Sequence, residues 1–232
     1  MLSFFRSEAF TSALEIFRTQ FPLALWETIY VTLLSTFFAI LLGLPLGVLL
    51  VAGEDGRIIR APRWLLRAIN WVINLLRSVP FLILMIAVFP LTRLIVGTVV
   101  GTPASIVPLV IAAFPFIARL AEGSVREVDR NIIEAAQSMG ATPMQIIMKV
   151  MLPESVPSLL NNATIAVTTV LGYSAMSGMI GGGGLGKIAI NYGYYRYQYL
   201  IMIMAVIFLI LLVQLFQSVG THLAAKSDKR LK

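Results

Sequence analysis

The chain has 232 residues, 58% hydrophobic and 12% charged, with a formal net charge of +7 and no cysteine; its mean hydropathy is +0.88. A soluble domain carries about twice that charge, so the composition excludes a soluble globular protein and indicates an integral membrane protein. The positive charge does not imply nucleic-acid binding, because the basic residues lie between apolar runs and in the tail, as orientation signals do; the lack of cysteine excludes disulfides and thiolate metal sites.

Residues 1–20 carry Arg6, Glu8, Glu15 and Arg18 without a continuous apolar core, so a cleavable signal peptide is not expected there. They read as an extracytoplasmic or interfacial segment. A membrane span needs about 20 mostly apolar residues. Five stretches qualify: 23–51, 66–96, 103–121, 155–180 and 199–221. The first opens with the interface aromatics Trp26 and Tyr30 and contains Gly43, Pro45 and Gly47, which suit a close helix–helix contact. The second contains Arg77, just before Pro80, and Arg93. A charge at mid-membrane costs about 2.5–3.5 kcal/mol on insertion scales. Arg93 is therefore read as reaching the outer interface, and Arg77 either as an anchor near the inner boundary or as a residue facing the bundle interior. Pro108, Pro115, Asn161, Asn162 and Thr164 interrupt the third and fourth stretches. The aromatic run 192–199 reads as an outer-interface belt, and the lone His222 as an interfacial residue.

The loops set an orientation. Arg57, Arg60, Arg63 and Arg67 follow the first span; Arg119, Arg126, Arg130 and Lys149 surround the central loop; Lys226, Lys229, Arg230 and Lys232 close the chain. The connection 97–102 has no charge, and the loop 181–198 has only Lys187 and Arg196. The positive-inside rule then places the N-terminus outside and the C-terminus inside.

Residues 134–153, EAAQSMGATPMQIIMKVMLP, form a polar segment between apolar runs. Gly140 suits a helix C-terminus, where positive φ is needed. Thr142 caps a second helix, with Pro143 in its first turn and Gln145 completing a capping box. Glu134, Ala135 and Ala136 set one carboxylate beside two minimal side chains, which allows a partner surface to approach closely. Asn131 and Glu134 also have N-cap-to-N3 spacing, so the carboxylate has a capping role open to it as well. This run resembles the EAA loop of ABC-importer permeases: Glu134, Ala135, Ala136, Gly140, Leu152 and Pro153 match the family pattern, with Val150 at its Ile position. The resemblance implies docking on a cytoplasmic ATPase through Glu134, Ala135, Ala136, Gln137, Met139, Gly140, Ala141, Thr142 and Pro143. It implies an all-α polytopic fold of the type I importer class, with short cytoplasmic coupling helices in a loop spanning 128–152 of a permease domain at 21–225, and a basic cytoplasmic tail at 226–232.

The segment 181–188, GGGGLGKI, contains both G-x-G-x-x-G and G-x-x-x-x-G-K. A Walker loop needs Ser or Thr next, to hold magnesium, and Ile188 stands there. A close-packed backbone turn or re-entrant segment is expected instead. RSVPFLIL at 77–84, TRLIVGT at 92–98, PFIAR at 115–119, MGATPMQI at 139–146 and GYSAMSGMIGGGGLG at 172–186 are similar to the methionine-importer branch, Ser177 being a small departure. That resemblance implies a homodimer with two ATPase subunits, fed by an extracytoplasmic methionine-binding lipoprotein, in a bacterial inner membrane. ATP and magnesium would sit on the ATPase, leaving this chain without a catalytic residue, cofactor or metal. Small and soft residues suit the passage of an apolar side chain, and Gly172, Tyr173, Ser174, Met176 and Ser177, with Arg77, are the pathway candidates; a helix-packing seam is the other reading of the small ones. A secondary carrier would normally show an internal repeat or an intramembrane acidic coupling site, and neither is apparent. A permease for another small amino acid is the nearer alternative.

Overall fold

The computed structural model describes residues 8–54 and 58–227. Arg57, Lys229, Arg230 and Lys232, counted among the orienting cations, lie outside them. The described residues form helices and their connections, with no strand among them. The order begins α1 (Glu8–Thr19), α2 (Phe21–Ala52), α3 (Arg63–Ser78), α4 (Phe81–Ala87), α5 (Phe89–Val96) and α6 (Thr102–Arg126). The polar segment carries α7 (Arg130–Ser138) and α8 (Pro143–Ile146), which continues through a π-helical stretch, Ile147–Met151, into α9 (Leu152–Ser177). A 3-10 turn at Gly178–Ile180, α10 (Gly184–Ile188), a second π-helical stretch at Ala189–Tyr194 and α11 (Tyr199–Ser227) complete it.

Four helical stretches are long and apolar enough to cross a membrane: Phe21–Ala52, Thr102–Arg126, Pro143–Ile180 and Tyr199–Ser227. The expected second span, 66–96, is a bent pair of helices. Pro80 disfavours the helical conformation in the residue before it; Val79 is extended at φ −86° and ψ 127°, and α3 and α4 bend by 110°. A fifth span exists only as this bent pair. Pro108 and Pro115, in contrast, stay within one continuous α6, and Pro157 within α9. With no water to satisfy freed backbone groups, an apolar helix retains its ladder around a single missing donor.

The described residues fall into two compact units, within Met1–Thr36, Phe81–Val110 and Val167–Phe216 for the first and Phe37–Pro80, Ile111–Ala166 and Gln217–Lys232 for the second. In the first unit, α1 is no separate appendage. Its Ala13 is buried in one cluster with Phe21, Leu171, Leu185 and Ile201. Phe17 and Phe21 each lie 5.8 Å from Phe208, a three-ring contact joining α1, α2 and α11.

In the second unit, α3 buries Ile73 against Leu50 and Ala118 and exposes Trp64 and Trp71, an amphipathic arrangement suited to an interface. Glu54, Arg126, Glu122 and Arg119 form a chain of ion pairs that Arg119 extends to Asn74 at 2.9 Å. Helices α2 and α6 meet at Gly43 and Gly47. A Cβ on Gly47 would lie 2.6 Å from the Ala118 carbonyl oxygen and 2.8 Å from the Glu122 nitrogen. Those are backbone atoms of a packed helix and cannot swing aside. Gly47→Ala is expected to destabilise the protein by about 1–3 kcal/mol, as overpacking does, read as a lower melting temperature in detergent. Gly123→Ala, where nothing lies within 4 Å of the added atom, is the control and leaves it unchanged.

Candidate functional site

The polar segment of the second unit folds as two short helices closed at both ends by local chemistry. Asp129, and not Asn131, caps α7, its carboxylate accepting the Asn131 N–H at 2.9 Å. Glu134 is therefore not the cap of its own helix, and it pairs with Arg130 one turn back, at 3.3 Å. Gly140, at φ +78°, ends the helix. Its N–H donates to the Gln137 carbonyl at 2.9 Å, and the Ala141 N–H donates to the Ala136 carbonyl at 3.1 Å. These two bonds are the Schellman arrangement. Thr142 then starts α8 with the expected capping box: the Thr142 N–H donates to Gln145 Oε1 at 2.8 Å, and the Gln145 N–H donates to Thr142 Oγ1 at 3.4 Å.

This helix pair stands on its own apolar base. Ile146, Ile147, Met151 and Ala136 are buried with Val48, Ala52 and Val125, at the ends of α2 and α6. Of the residues expected to dock, Glu134, Ala135, Met139, Gly140, Thr142 and Pro143 are exposed and Gln137 and Ala141 are half-buried. Ala136 is corrected: at 5% exposure it belongs to the base, since the helical period turns it away from Ala135. Beside the exposed set lie Ile132, Met144 and Met148, also exposed, which sequence reasoning missed. The signal was available in the 144/148 spacing, one helical turn. A groove of 280 Å³ runs under Glu134 between Glu54, Ile58, Arg126 and Arg130. The outcome is a helix pair on a buried apolar base that presents one carboxylate and adaptable thioethers.

The glycine-rich turn of the first unit is not an open nucleotide cradle, because the N–H groups of Gly182, Gly184 and Leu185 already have internal acceptors. The Gly184 N–H donates to Glu27 Oε2 at 2.8 Å, and the Leu185 N–H donates to Thr28 Oγ1 at 2.9 Å. Glu27 Oε1 accepts from the Thr102 hydroxyl at 2.8 Å. A Cβ on Gly186 would run into the Ala175 backbone, so the turn is close-packed, as expected. One acidic side chain, Glu27, does lie in the first expected span, half-buried within α2. It is the only acidic residue of that helix, a signal visible in the sequence.

The pathway candidates divide. Ser174 and Ser177 are buried, their hydroxyls donating to the Leu171 and Ser174 carbonyls at 2.8 and 2.6 Å, and Ser174 faces Thr32 at 3.4 Å. Ser174 thus packs in the α2–α9 contact and Ser177 against the glycine-rich turn, which fits the packing reading of the small residues. Gly172 is exposed, as are Met176 and Met179 at 43% and 49%. Tyr173 stacks on Phe81, centroids 4.5 Å apart. Arg77 is exposed in the last turn of α3 and belongs to the other unit. In the run read as an aromatic belt, Tyr194, Tyr195, Tyr197 and Tyr199 are exposed. Among the described residues, no three His, Cys, Asp or Glu side chains converge on a metal-sized site.

Residues 39–229 match the family of binding-protein-dependent transport system inner membrane components. The chain is 51% identical over 208 residues to a Vibrio cholerae protein named "Probable D-methionine transport system permease protein MetI", covering 89% of this chain and 92% of that one. A Pasteurella multocida protein of the same name is 46% identical over 204 residues, covering 88% and 94%. Among solved structures, an inward-facing MetNI methionine ABC transporter chain superposes with a TM-score of 0.88 at 43% identity, over 96% of this chain and all of that one.

Proposed function

The chain belongs to the family of binding-protein-dependent transport system inner membrane components, and on that premise we propose that it is the transmembrane subunit of an ATP-driven methionine importer. The observation that carries the coupling mechanism is the platform from Asp129 to Met151. It exposes Glu134, Met139, Met144 and Met148 and rests through Ile146, Ile147 and Met151 on the ends of α2 and α6. Closure of an ATPase against such a platform moves those helices as a rigid body. The substrate follows from relatives that match most of the chain.

Two copies form the pore, each docked on one of two cytoplasmic ATPase subunits that hold ATP and magnesium. An extracytoplasmic binding protein delivers the substrate, and membrane lipid surrounds the assembly. Residues 1–20 lie outside or at the outer interface, 21–225 form the permease domain with its coupling loop at 128–152, and the basic tail 226–232 is cytoplasmic. The distribution of Lys and Arg supports this orientation. Copurification with the ATPase, followed by hydrolysis and uptake in proteoliposomes across a panel of amino acids, tests the reading. Uptake without the ATPase would indicate a secondary carrier, and equal stimulation by other amino acids would remove methionine as the substrate.

Met176 is the pathway constriction in this reading. Its flexible thioether is exposed on α9 beside Gly172, able to close a narrow passage and to yield to an apolar side chain. In a two-fold assembly a residue near the axis meets its own copy. Met176→Ala is expected to loosen selectivity or raise basal hydrolysis while leaving assembly intact. Met176→Cys introduces the chain's only thiol. It should crosslink across the dimer or react with aqueous thiol reagents in at least one nucleotide state; failure of both makes Met176 a packing residue.

A further inference from the structure

We propose that Glu27 is a positioning residue, a latch that holds the glycine-rich turn closed over the end of α9 and so keeps that end in register for transport. The geometry stands by itself, and only its consequence rests on the import function proposed above. The turn is tied to three elements of one unit. Glu27 on α2 accepts from Gly184 N–H and from the Thr102 hydroxyl at the start of α6, each at 2.8 Å. The Gly101 N–H donates to the Gly181 carbonyl at 2.8 Å, and the Gly182 N–H to the Ser177 carbonyl at 3.0 Å.

The two bonds to Glu27 are the charge-assisted ones, which are roughly twice as strong as neutral bonds. They also join α2, α6 and the turn at one carboxylate. Directly beneath lies Ser177, 1% exposed, where a Cβ added to Gly182 would stand 2.5 Å from the Ser177 hydroxyl oxygen. The same end of α9 exposes Met176 and Met179. Opening the latch therefore uncovers Ser177 and frees the segment that carries the constriction. An amide at position 27 keeps these contacts only as neutral bonds, Oε1 accepting from the Gly184 N–H and Nε2 donating to the Thr102 hydroxyl, and so loses the charge assistance of both.

The test uses the complex reconstituted with its extracytoplasmic binding protein and a cysteine-free ATPase partner, with Ser177→Cys as the one thiol of this chain. Aqueous thiol reagents should modify it slowly in the otherwise unchanged chain. With Glu27→Gln added, modification should quicken about ten- to a hundredfold, the population shift expected on losing bonds to a charged group. Thr102→Val should give a smaller increase, and combining it with Glu27→Gln should add little, because both act on one carboxylate. Gly183→Ala supplies an independent wedge, its methyl colliding with Thr102 and Glu27, and decides the matter if Glu27→Gln does not accumulate. The ratio of methionine-stimulated to basal hydrolysis should fall several-fold in each variant while copurification with the ATPase stays normal, a pattern that general misfolding does not produce. Unchanged protection of the introduced thiol in Glu27→Gln, or in Thr102→Val and Gly183→Ala if that chain is lost, overturns the latch. Faster modification with an unchanged hydrolysis ratio overturns its role in transport. If the parent complex itself ignores methionine, the import reading fails, and the modification rates of the introduced thiol still decide the latch.

Discussion

A chain carrying Glu134→Lys is expected to insert and fold yet to purify without its ATPase, with methionine uptake lost. Glu134 lies on the platform with its side chain 58% exposed, and it forms an ion pair with Arg130 of the same helix at 3.3 Å. An exposed pair of that spacing is worth about 0.3–0.5 kcal/mol, and the like-charge pair created by the substitution costs α7 a similar amount. The fold barely registers the change. At a protein interface, in contrast, placing like charges together costs several kcal/mol, which weakens docking about a hundredfold or more. Glu134→Gln removes the charge alone and should give an intermediate loss. The exchange Arg130→Glu with Glu134→Lys restores the pair within the helix but leaves the wrong sign outward, so it should remain uncoupled. Normal copurification and uptake in Glu134→Lys would remove this carboxylate from the docking surface.

Gly140 is expected to be as sensitive for a different reason. Nothing lies within 4 Å of a Cβ added there, so crowding plays no part. The residue sits at φ +78°, where an L side chain costs about 1–2 kcal/mol and a β-branched one is a genuine outlier. Its conformation sets the two bonds that close α7 and aims Thr142 to cap α8. Gly140→Ala should cut uptake about tenfold, the equivalent of that backbone cost. Gly140→Val should cut it further, and Gly140→Asn, whose side chain tolerates this conformation, should cut it less. Uptake by the three variants in reconstituted complexes, set against their complex yield, checks the order. Wild-type uptake in all three would show that the angle between α7 and α8 does not matter for coupling.

Much of this platform was legible because its determinants are local. A proline in the first helical turn, a Thr/Gln box and a glycine at a helix end act through neighbours two to five residues away. The capping of α7 stayed open in the sequence because Asp129 and Asn131 are both good caps and only the backbone path decides between them. Ala135 and Ala136 are identical in composition and opposite in role, one exposed and one buried. That difference depends on the register at which α7 meets Val48, Ala52 and Val125.

By itself the sequence determined that the chain is an all-helical membrane protein, since 58% apolar content and runs of about 20 or more such residues have no other stable home. It also determined where the polar loop with its two short helices lies and how the second of them is capped. The bend at Val79–Pro80 has a local cause in Pro80, but Pro108, Pro115 and Pro157 stay within helices, so which proline breaks a span was not legible. The tertiary structure alone decided that Ser174 and Ser177 pack inward while Met176 stays exposed, and that the glycine-rich turn has its N–H groups claimed by Glu27 and Thr28. Those facts join residues as much as 157 positions apart. Helical period and capping propensity act over a few residues, whereas partners across a bundle are set only when whole helices pack.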